Sequence, residues 1–299
     1  MDQAVLSEKK ESYRSRVLRV MLHVQDHLDE PHSIDALARI ARFSPFHFHR
    51  IFRGMAGESL MAHVKRLRLE RAAHHLSLTN RPVAEIAVAA GYESHESFSR
   101  AFQGHFGVSP SRFRRQPRAG DHPDGTHGRD PLDAVGDAAH WADVRVVNFP
   151  AQHVAFVRHI GPYQGAGRAW GPLLAWAGSH ALDTKAQLAI AYDDPEITPA
   201  EHLRYDACIE APASIEPTDP VQFQTIEGGD YAVYTHVGAY EKLGEAYLNL
   251  YGRWLPASGR EARDCPSVLR YLTPMCPECP ASQRTEVCAP LEPEPFHVS

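Results

Sequence analysis

The feature that most constrains this chain is a helical unit that occurs twice. The first copy reads Ser-Pro-Phe-His-Phe-His-Arg-Ile-Phe at residues 44–52, and the second reads Ser-His-Glu-Ser-Phe-Ser-Arg-Ala-Phe at residues 94–102. The offset between matching residues is 49 before the turn and 50 after it. Apolar, glycine and arginine positions recur together: Ala41 with Ala90, Phe48 with Phe98, Arg50 with Arg100, Phe52 with Phe102 and Gly57 with Gly107. Such a repeat predicts two copies of one supersecondary unit.

Helical periodicity surrounds both copies and predicts an all-helical region. Residues 12–29 have the apolar spacing of an amphipathic helix, and Ser33 is a suitable N-cap for a short second helix. A turn at residues 42–45 leads into the repeated helix, so each copy is predicted to be a helix-turn-helix. A long helix is predicted at residues 60–78. At about 1.5 Å per residue, a helix of this length separates the two copies by roughly 30 Å.

Charge is divided unevenly along the chain, whose 299 residues carry a formal net charge of −6. Residues 1–116 contain 18 basic and 12 acidic residues, and 15 of the basic ones are arginines. The rest of the chain has a balance of −12. A basic half joined to an acidic half indicates one module that binds a polyanion and another with a separate task. Arginine suits bidentate contacts to phosphates and guanine edges.

Four motifs occur together in the basic half: Ser-Pro-Phe-His-Phe-x-Arg-x-Phe, Ile-Ala-x-x-Ala-Gly-Tyr-x-Ser, Phe-Ser-Arg-x-Phe and Phe-Gly-Val-Ser-Pro. With them, residues 12–116 resemble the DNA-binding domain of AraC/XylS-type transcription regulators. The resemblance implies two helix-turn-helix units on one rigid monomer. These units would enter adjacent major-groove segments of double-stranded DNA, roughly 34 Å or about 10 bp apart. The resemblance is also compatible with RNA polymerase as a protein partner.

By position in these motifs, the expected DNA contacts lie on both repeated helices: Phe46, His49, Arg50 and Arg53 on the first, and His95, Glu96, Ser99 and Arg100 on the second. An arginine fork fits guanine O6 and N7, Glu96 can accept from cytosine N4, and Phe46 can pack on a thymine methyl. Arg53 is expected to position the DNA backbone. Because the two helices carry different side chains, we expect an asymmetric rather than a palindromic site. The alternative is that the arginines only solubilise exposed helix faces.

A change of hydrophobic period separates the acidic half from the basic half. Residues 117–142 are rich in Pro, Gly, Asp and His, which predicts a flexible linker. Residues 143–292 alternate with the period of strands, and a strand–turn–helix pattern repeats at an offset of 77, with Gly161 matching Gly238. The predicted fold class is multidomain. An all-α double helix-turn-helix domain precedes an α+β domain with an internal pseudo-twofold repeat and a ligand cleft between its halves.

Five motifs in this half make it resemble the GyrI-like small-molecule-binding domain: His-Ile-Gly-Pro-Tyr (159–163), Ala-Tyr-Asp-Asp-Pro-Glu (191–196), Leu-Arg-Tyr-Asp-Ala-Cys-Ile (203–209), His-Val-Gly-Ala-Tyr (236–240) and Thr-Glu-Val-Cys-Ala-Pro-Leu (285–291). The resemblance implies a small aromatic or amphipathic effector, often cationic, held by an inward glutamate and aromatic walls. Glu286 is the candidate glutamate, with an outward or rim carboxylate as the alternative. The candidate walls, each also suited to core packing, are Trp170, Tyr192, Tyr234 and Tyr163. Leu269 stands where several relatives have a glutamate, so the preference for cations stays open.

Other classes of protein are less consistent with the sequence. No apolar run approaches the roughly 20 residues of a membrane span. The N-terminus lacks a secretory pattern, so we expect a cytoplasmic protein that does not contact a membrane. The five cysteines include one Cys-x-x-Cys pair, Cys276 and Cys279, which supplies too few ligands for structural zinc. A redox or metal role for that pair stays open. We expect no cofactor and no metal site.

Together these features predict a sequence-specific DNA-binding transcription regulator whose C-terminal domain senses a small effector. We do not expect an enzyme. The alternative is that the GyrI-like domain acts as a hydrolase, with Tyr163 and Glu286 as candidate groups, or as a drug-sequestering module. No Ser-His-Asp or paired-carboxylate arrangement in the sequence strengthens the hydrolase alternative.

Overall fold

The computed structural model describes residues 3–115, 143–273 and 280–294, so the predicted linker lies outside the described residues. The first region is helical: α1 (Gln3–Asp26), α2 (Ile34–Ala41), α3 (Pro45–Ala56), α4 (Leu60–Leu78), α5 (Val83–Ala89), α6 (His95–Phe106) and α7 (Pro110–Arg115). Helices α2 and α3 form the first predicted helix-turn-helix, and α5 and α6 form the second. Helix α1 begins earlier than the apolar spacing of residues 12–29 predicts.

Matching residues begin and end the two repeated helices. The hydroxyl oxygen of Ser44 accepts from the backbone N–H of Phe46 at the start of α3, and Ser94 accepts from Ser97 at the start of α6. Gly57 and Gly107 end the two helices with φ values of 75° and 74°. This left-handed conformation carries little steric cost only for glycine. The repeat in the sequence is therefore a repeat of helix boundaries as well as of core residues.

The two helical units belong to different cores. Phe98 and Phe102 of the second unit pack with Ile86 and Leu76 in a core of their own. In contrast, the core of the first unit, including Phe48 and Phe52, is continuous with that of the following domain. Tertiary packing thus joins the first unit to the acidic half of the chain.

Among its described residues, the acidic half contains one eight-stranded sheet with the strand order β1-β6-β8-β7-β3-β4-β2-β5. Its strands are β1 (Arg145–Phe149), β2 (Gln152–Ile160), β3 (Gln187–Ala191), β4 (Arg204–Glu210), β5 (Gln222–Ile226), β6 (Gly229–Val237), β7 (Ser267–Tyr271) and β8 (Arg284–Pro290). Every strand pairing is antiparallel, and the two halves meet where β3 pairs with β7, with Ala189 opposite Leu269. This arrangement confirms the predicted α+β fold with two similar halves.

Each half places one helical segment on the same face of the sheet, called here the helix face. The first half contributes a 3-10 turn (Tyr163–Ala169) followed by α8 (Trp170–Ser179). The second contributes a 3-10 turn (Tyr240–Lys242), α9 (Leu243–Tyr247), a π-helical segment (Leu248–Trp254) and α10 (Leu255–Ser258). π-Helical turns are rare and occur frequently at functional sites.

Strand alternation separates the two sheet faces cleanly. Ala155, Ala207 and Leu269 belong to the core on the helix face. Val154, Cys208 and Val268 belong to a separate apolar cluster on the opposite face, called here the far face. Within the described residues, no helix is long and apolar enough to cross a membrane.

Candidate nucleic-acid interface and effector site

Helix α6 presents its predicted contacts to solvent. His95, Glu96 and Arg100 are exposed and Ser99 is partly exposed, whereas Phe98 on the other side of the helix is fully buried. The helix is thus anchored by its aromatic face and offers a polar face with one acid, one arginine and hydroxyl groups. These side chains are therefore accessible from solvent.

Helix α3 is placed differently, because the acidic half of the chain covers its matching face. Arg50 is 8% exposed and His49 is 3% exposed, while Phe46 is partly buried and Arg53 is exposed. Helix α3 packs along the π-helical segment. The structure therefore leaves the predicted contacts on α6 accessible, whereas on α3 it covers His49 and Arg50 and leaves Arg53 exposed.

The crossing of α3 and the π-helical segment is a direct backbone contact between two glycines. A Cβ atom added to Gly54 would lie 2.1 Å from the Cα of Gly252, and one added to Gly252 would lie 2.5 Å from the Cα of Gly54. Any larger side chain at either position would overlap backbone, which cannot rotate away. This closeness brings the polar face of α3 into contact with the loops around the segment.

Arg50 and His49 share one carboxylate partner across this contact. The Nδ1 of His49 lies 3.1 Å from Asp194 Oδ2, and the Nε of Arg50 lies 3.7 Å from the same oxygen. The guanidinium carbon of Arg50 also stands 4.1 Å from the ring centroid of Tyr247, a cation–π arrangement. Burial raises the pKa of Asp194, but the hydrogen bond from His49 and the charge of Arg50 outweigh it and lower that pKa. Asp194 is thus held as the counter-charge of two predicted DNA contacts.

His47, which was not among the predicted contacts, supports the same interface. Its Nε2 donates to the carbonyl oxygens of Arg263 and Cys265 at 3.2 and 3.1 Å, and its ring stacks on Tyr251 with centroids 4.4 Å apart. Burial and the nearby Arg50 lower the pKa of His47 from 6.5 to about 3. The ring is therefore neutral in the folded protein at ordinary pH.

Ion pairs and hydrogen bonds at the margins extend the contact beyond α3. The hydroxyl of Ser44 donates to Asp264 at 2.6 Å, and Arg53 pairs with Glu196. Helix α1 adds Arg16, whose Nη1 lies 3.0 Å from Glu261. Helices α1 and α3 thus both contact the same domain.

The five predicted effector residues do not form one pocket. Trp170, Tyr163 and Tyr234 pack on the helix face, whereas Tyr192 packs with the apolar cluster of the far face. Glu286 lies on the far face as well, since it alternates with Val287 of the helix-face core. Glu286 is 3% exposed and pairs with Arg145 and with Arg270, which it meets at 3.1 Å. A ligand on the helix face therefore cannot reach the Glu286 carboxylate.

Glu286 has a counterpart in the other half of the far face. Asp206, 80 residues earlier, is fully buried and accepts from Arg158 at 2.7 and 2.8 Å. Tyr192 donates its hydroxyl to the same carboxylate at 2.8 Å, and Gln224 donates its amide at 3.0 Å. Burial raises the pKa of Tyr192, and the negative charge of Asp206 raises it further. This network satisfies a buried charge and accounts for Tyr192 without a ligand.

An aromatic cluster joins the two halves on the helix face, and its central members are tyrosines that sequence reasoning missed. Trp170 Nε1 donates to the Tyr205 hydroxyl at 3.1 Å, and the Tyr205 and Tyr271 hydroxyl oxygens are 2.9 Å apart. The ring of Tyr271 also meets Tyr240 with centroids 5.6 Å apart. Tyr271 stands on β7 at the junction of the two halves, and Tyr205 stands on β4, the strand next to β3. In their strands, both residues alternate with side chains that point to the far face. This alternation was the signal from which their place on the helix face could have been predicted.

No group of three or more His, Cys, Asp or Glu side chains is arranged to hold a metal ion in the part of the chain that the structure describes. Cys208, Cys265 and Cys288 are free thiols, and Cys276 and Cys279 lie outside the described residues.

Comparison with known proteins assigns families to both halves. Residues 142–292 match the GyrI-like small molecule binding domain, and residues 37–116 match a helix-turn-helix domain. The Right origin-binding protein of Escherichia coli (strain K12) is 25% identical over 268 residues, which cover 84% of this chain and 88% of that protein. Regulatory protein SoxS of the same strain is 31% identical over 105 residues, 35% of this chain and 98% of that protein. The solved EcmrR C-terminal domain is 20% identical, with a TM-score of 0.43 over 50% of this chain and 97% of its own.

Proposed function

This chain belongs to the AraC/XylS-type transcription regulators and carries a GyrI-like small molecule binding domain, and from this we propose that it reads an asymmetric DNA site with two unequal helices. Helix α6 is one reader and α3 is the other. We take residues 12–116 as the reading domain, residues 117–142 as the linker and residues 143–292 as the effector domain. RNA polymerase is the expected protein partner at the bound site.

The polar face of α6 is the observation that carries this proposal. Its exposed Arg100 can donate two parallel hydrogen bonds to guanine, and Glu96 can accept from cytosine. The corresponding face of α3 carries Phe46, His49 and Arg50, so its preferred bases differ. Two different readers on one monomer have no internal symmetry to match a palindrome.

Substitution of Arg100 tests this reading. From a randomised DNA pool, the parent protein should select a site with two distinct elements about 10 bp apart. Arg100→Ala should weaken binding to that site by about 1–3 kcal/mol and relax the selection at one base pair. Arg100→Lys is the matched control, because it keeps the charge for phosphates but lacks the planar fork for guanine. Selection unchanged by Arg100→Ala would remove α6 from the base-reading surface.

For the effector, we propose a site at the aromatic junction on the helix face. The rings of Trp170, Tyr205, Tyr240 and Tyr271 come from both halves, and their hydroxyl and N–H groups provide polar ends beside apolar surface. Leu269 is buried on the same face. This chemistry favours a small aromatic or amphipathic molecule that inserts between the halves.

A tyrosine comparison tests the location of the effector site. Tyr205→Phe removes one hydroxyl from the junction, and Tyr192→Phe makes the same change on the far face. In a thermal-shift screen of aromatic cations and neutral aromatics, Tyr205→Phe should reduce the shift given by a binding compound, and Tyr192→Phe should not. The opposite pattern would move the effector to the far face.

We further propose that the GyrI-like domain binds its ligand without turning it over. The two groups of the hydrolase alternative lie on different sheet faces, and Glu286 is engaged by two arginines. Burial raises the pKa of Tyr163, whose hydroxyl donates to the Asp193 carbonyl at 2.7 Å, so it is a poor base or nucleophile. Multiple turnover of a reactive ester that is lost in Tyr163→Phe would contradict this proposal.

A further inference from the structure

The face of α3 that faces the effector domain is the face proposed to read DNA. His49, Arg50 and Arg53 all have acidic partners there, namely Asp194 and Glu196. His47 and Ser44 of the same segment bond to Cys265 and Asp264. The contact is thus built from the donors of one helix face and the acceptors of another domain.

This contact and base reading by α3 exclude each other. A bidentate contact requires the guanidinium to lie within hydrogen-bond distance of a base edge in the groove. Arg50 is only 8% exposed, and its guanidinium is stacked on Tyr247. The backbones of α3 and the π-helical segment touch at Gly54 and Gly252, which leaves no width for a DNA strand.

The surface of the effector domain that contacts α3 presents chemical groups similar to those that DNA would present to the same side chains. Asp194 and Glu196 supply the negative oxygens that phosphates would supply, and Tyr247 supplies a flat ring beneath the guanidinium. Helix α1 adds the Arg16–Glu261 pair to the same domain. Release of α3 from the effector domain is therefore opposed by a contact of α1 as well.

On the basis of the DNA reading proposed above, we propose that the effector domain is an internal inhibitor of the first reading helix. It holds α3 in a DNA-excluded closed state and leaves only α6 free to bind. In the open state both helices engage their groove segments. The observed affinity for DNA is then the affinity of the open state reduced by the fraction of molecules that are open.

A glycine substitution on the effector domain tests this device without changing any DNA-reading residue. Gly252→Ala places a methyl group against the α3 backbone, 2.5 Å from the Cα of Gly54. It should raise affinity for the selected site by about tenfold, as expected if the open fraction rises from roughly one tenth to nearly all. Gly244→Ala in α9, which directly precedes the π-helical segment, is the matched control, because a Cβ there meets nothing within 4 Å. Equal affinity of the folded Gly252→Ala protein and the parent would overturn the proposal.

If Gly252→Ala does not fold, a variant with two acidic residues neutralised tests the same proposal. Asp194→Asn combined with Glu196→Gln removes the acidic partners of Arg50 and Arg53 at the rim of the contact. This variant should also raise DNA affinity, and the amide hydrogens of α3 should exchange faster in the absence of DNA. Glu201→Gln combined with Glu216→Gln, at two exposed acids of the same domain, controls for the loss of two negative charges. An increase as large in this control as in the double variant at Asp194 and Glu196 would reduce the effect to general electrostatics and overturn the proposal.

These outcomes separate the inhibitory contact from the DNA-reading proposal itself. If no variant selects a specific site, the reading proposal fails. If the parent selects a site that depends on Arg100 but neither Gly252→Ala nor the charge variants alter affinity or α3 exchange, only the inhibitory contact fails.

Discussion

Arg50 and Arg100 occupy matching places in the repeat, yet their replacement should have unequal consequences. Arg100 is exposed on α6, so Arg100→Ala should lose the full value of a guanine contact, about 1–3 kcal/mol. In the proposed scheme Arg50 has two roles, because it contacts DNA in the open state and stabilises the closed state in the DNA-free protein. Its guanidinium lies 4.1 Å from the Tyr247 ring centroid and 3.7 Å from Asp194 Oδ2.

The size of the difference follows from the closed-state contacts. A partly desolvated cation–π contact contributes about 1–2 kcal/mol. Arg50→Ala therefore removes a contact from the DNA complex. It also destabilises the closed state, which competes with DNA binding, by a comparable amount. The net loss of DNA affinity should be about 1 kcal/mol smaller for Arg50→Ala than for Arg100→Ala, a difference of roughly fivefold.

The prediction becomes more specific when Arg50→Ala is introduced into the Gly252→Ala protein. In a Gly252→Ala protein the closed state is already disfavoured, so Arg50→Ala should now cost as much as Arg100→Ala. The assay is fluorescence-anisotropy titration of one labelled duplex at a single fixed salt concentration, because salt alone shifts such affinities strongly. A cost of Arg50→Ala that is the same in both backgrounds would refute the coupling between Arg50 and the closed state.

Two further predictions concern buried polar groups. Asp206→Ala should lower the free energy of unfolding by about 3 kcal/mol, measured by chemical denaturation, because it removes the buried counter-charge of Arg158 and the carboxylate that accepts from the Gln224 amide; a loss below about 1 kcal/mol would show that water replaces the carboxylate. His47 has a pKa of about 3 in the folded protein and an ordinary value of 6.5, so as pH falls below 6.5 the unfolded chain takes up a proton that the folded chain does not. Its contribution to stability should decline by about 1.4 kcal/mol per pH unit between those values. His47→Gln should flatten this part of the pH profile relative to the parent, and an identical slope in both proteins would contradict the neutral buried ring.

The duplicated helical units could be predicted from sequence because local rules determine them. Ser44 and Ser94 start helices, Gly57 and Gly107 end them, and phenylalanines at helical spacing form the anchored face. These signals need no knowledge of the rest of the chain. The exposure of α6 and the burial of α3 could not be separated in the same way, because a polar helix face looks alike whether it meets water, DNA or an acidic domain.

The placement of Glu286 shows a different limit of sequence reasoning. Strand periodicity indicates that alternate residues share a face, but it does not say which face lies beneath the helices. Glu286 alternates with Val287, and the packing of Val287 against the helix-face core assigns Glu286 to the far face. The same uncertainty concealed Tyr205, which points toward the helices and meets Tyr271 from the other half. Contacts between halves depend on the three-dimensional join of β3 and β7, which the sequence pattern does not contain.

The interdomain crossing was the least visible feature in the sequence. Gly54 and Gly252 are about two hundred residues apart, and neither stands in a motif that requires glycine. The π-helical segment that carries Gly252 departs from the ordinary helical period, so periodicity alone does not reveal it.

The most direct test of the account is selection of DNA fragments by the full-length protein, carried out in parallel with the parent, Gly252→Ala and Arg100→Ala. We expect the parent protein to select one asymmetric site with two unlike elements about 10 bp apart. Gly252→Ala should enrich the element contacted by α3 more strongly than the parent does. Arg100→Ala should lose discrimination at a single base pair. A palindromic site, or equal enrichment of both elements by the parent and Gly252→Ala, would contradict the account of two unequal readers of which the first is held by the effector domain.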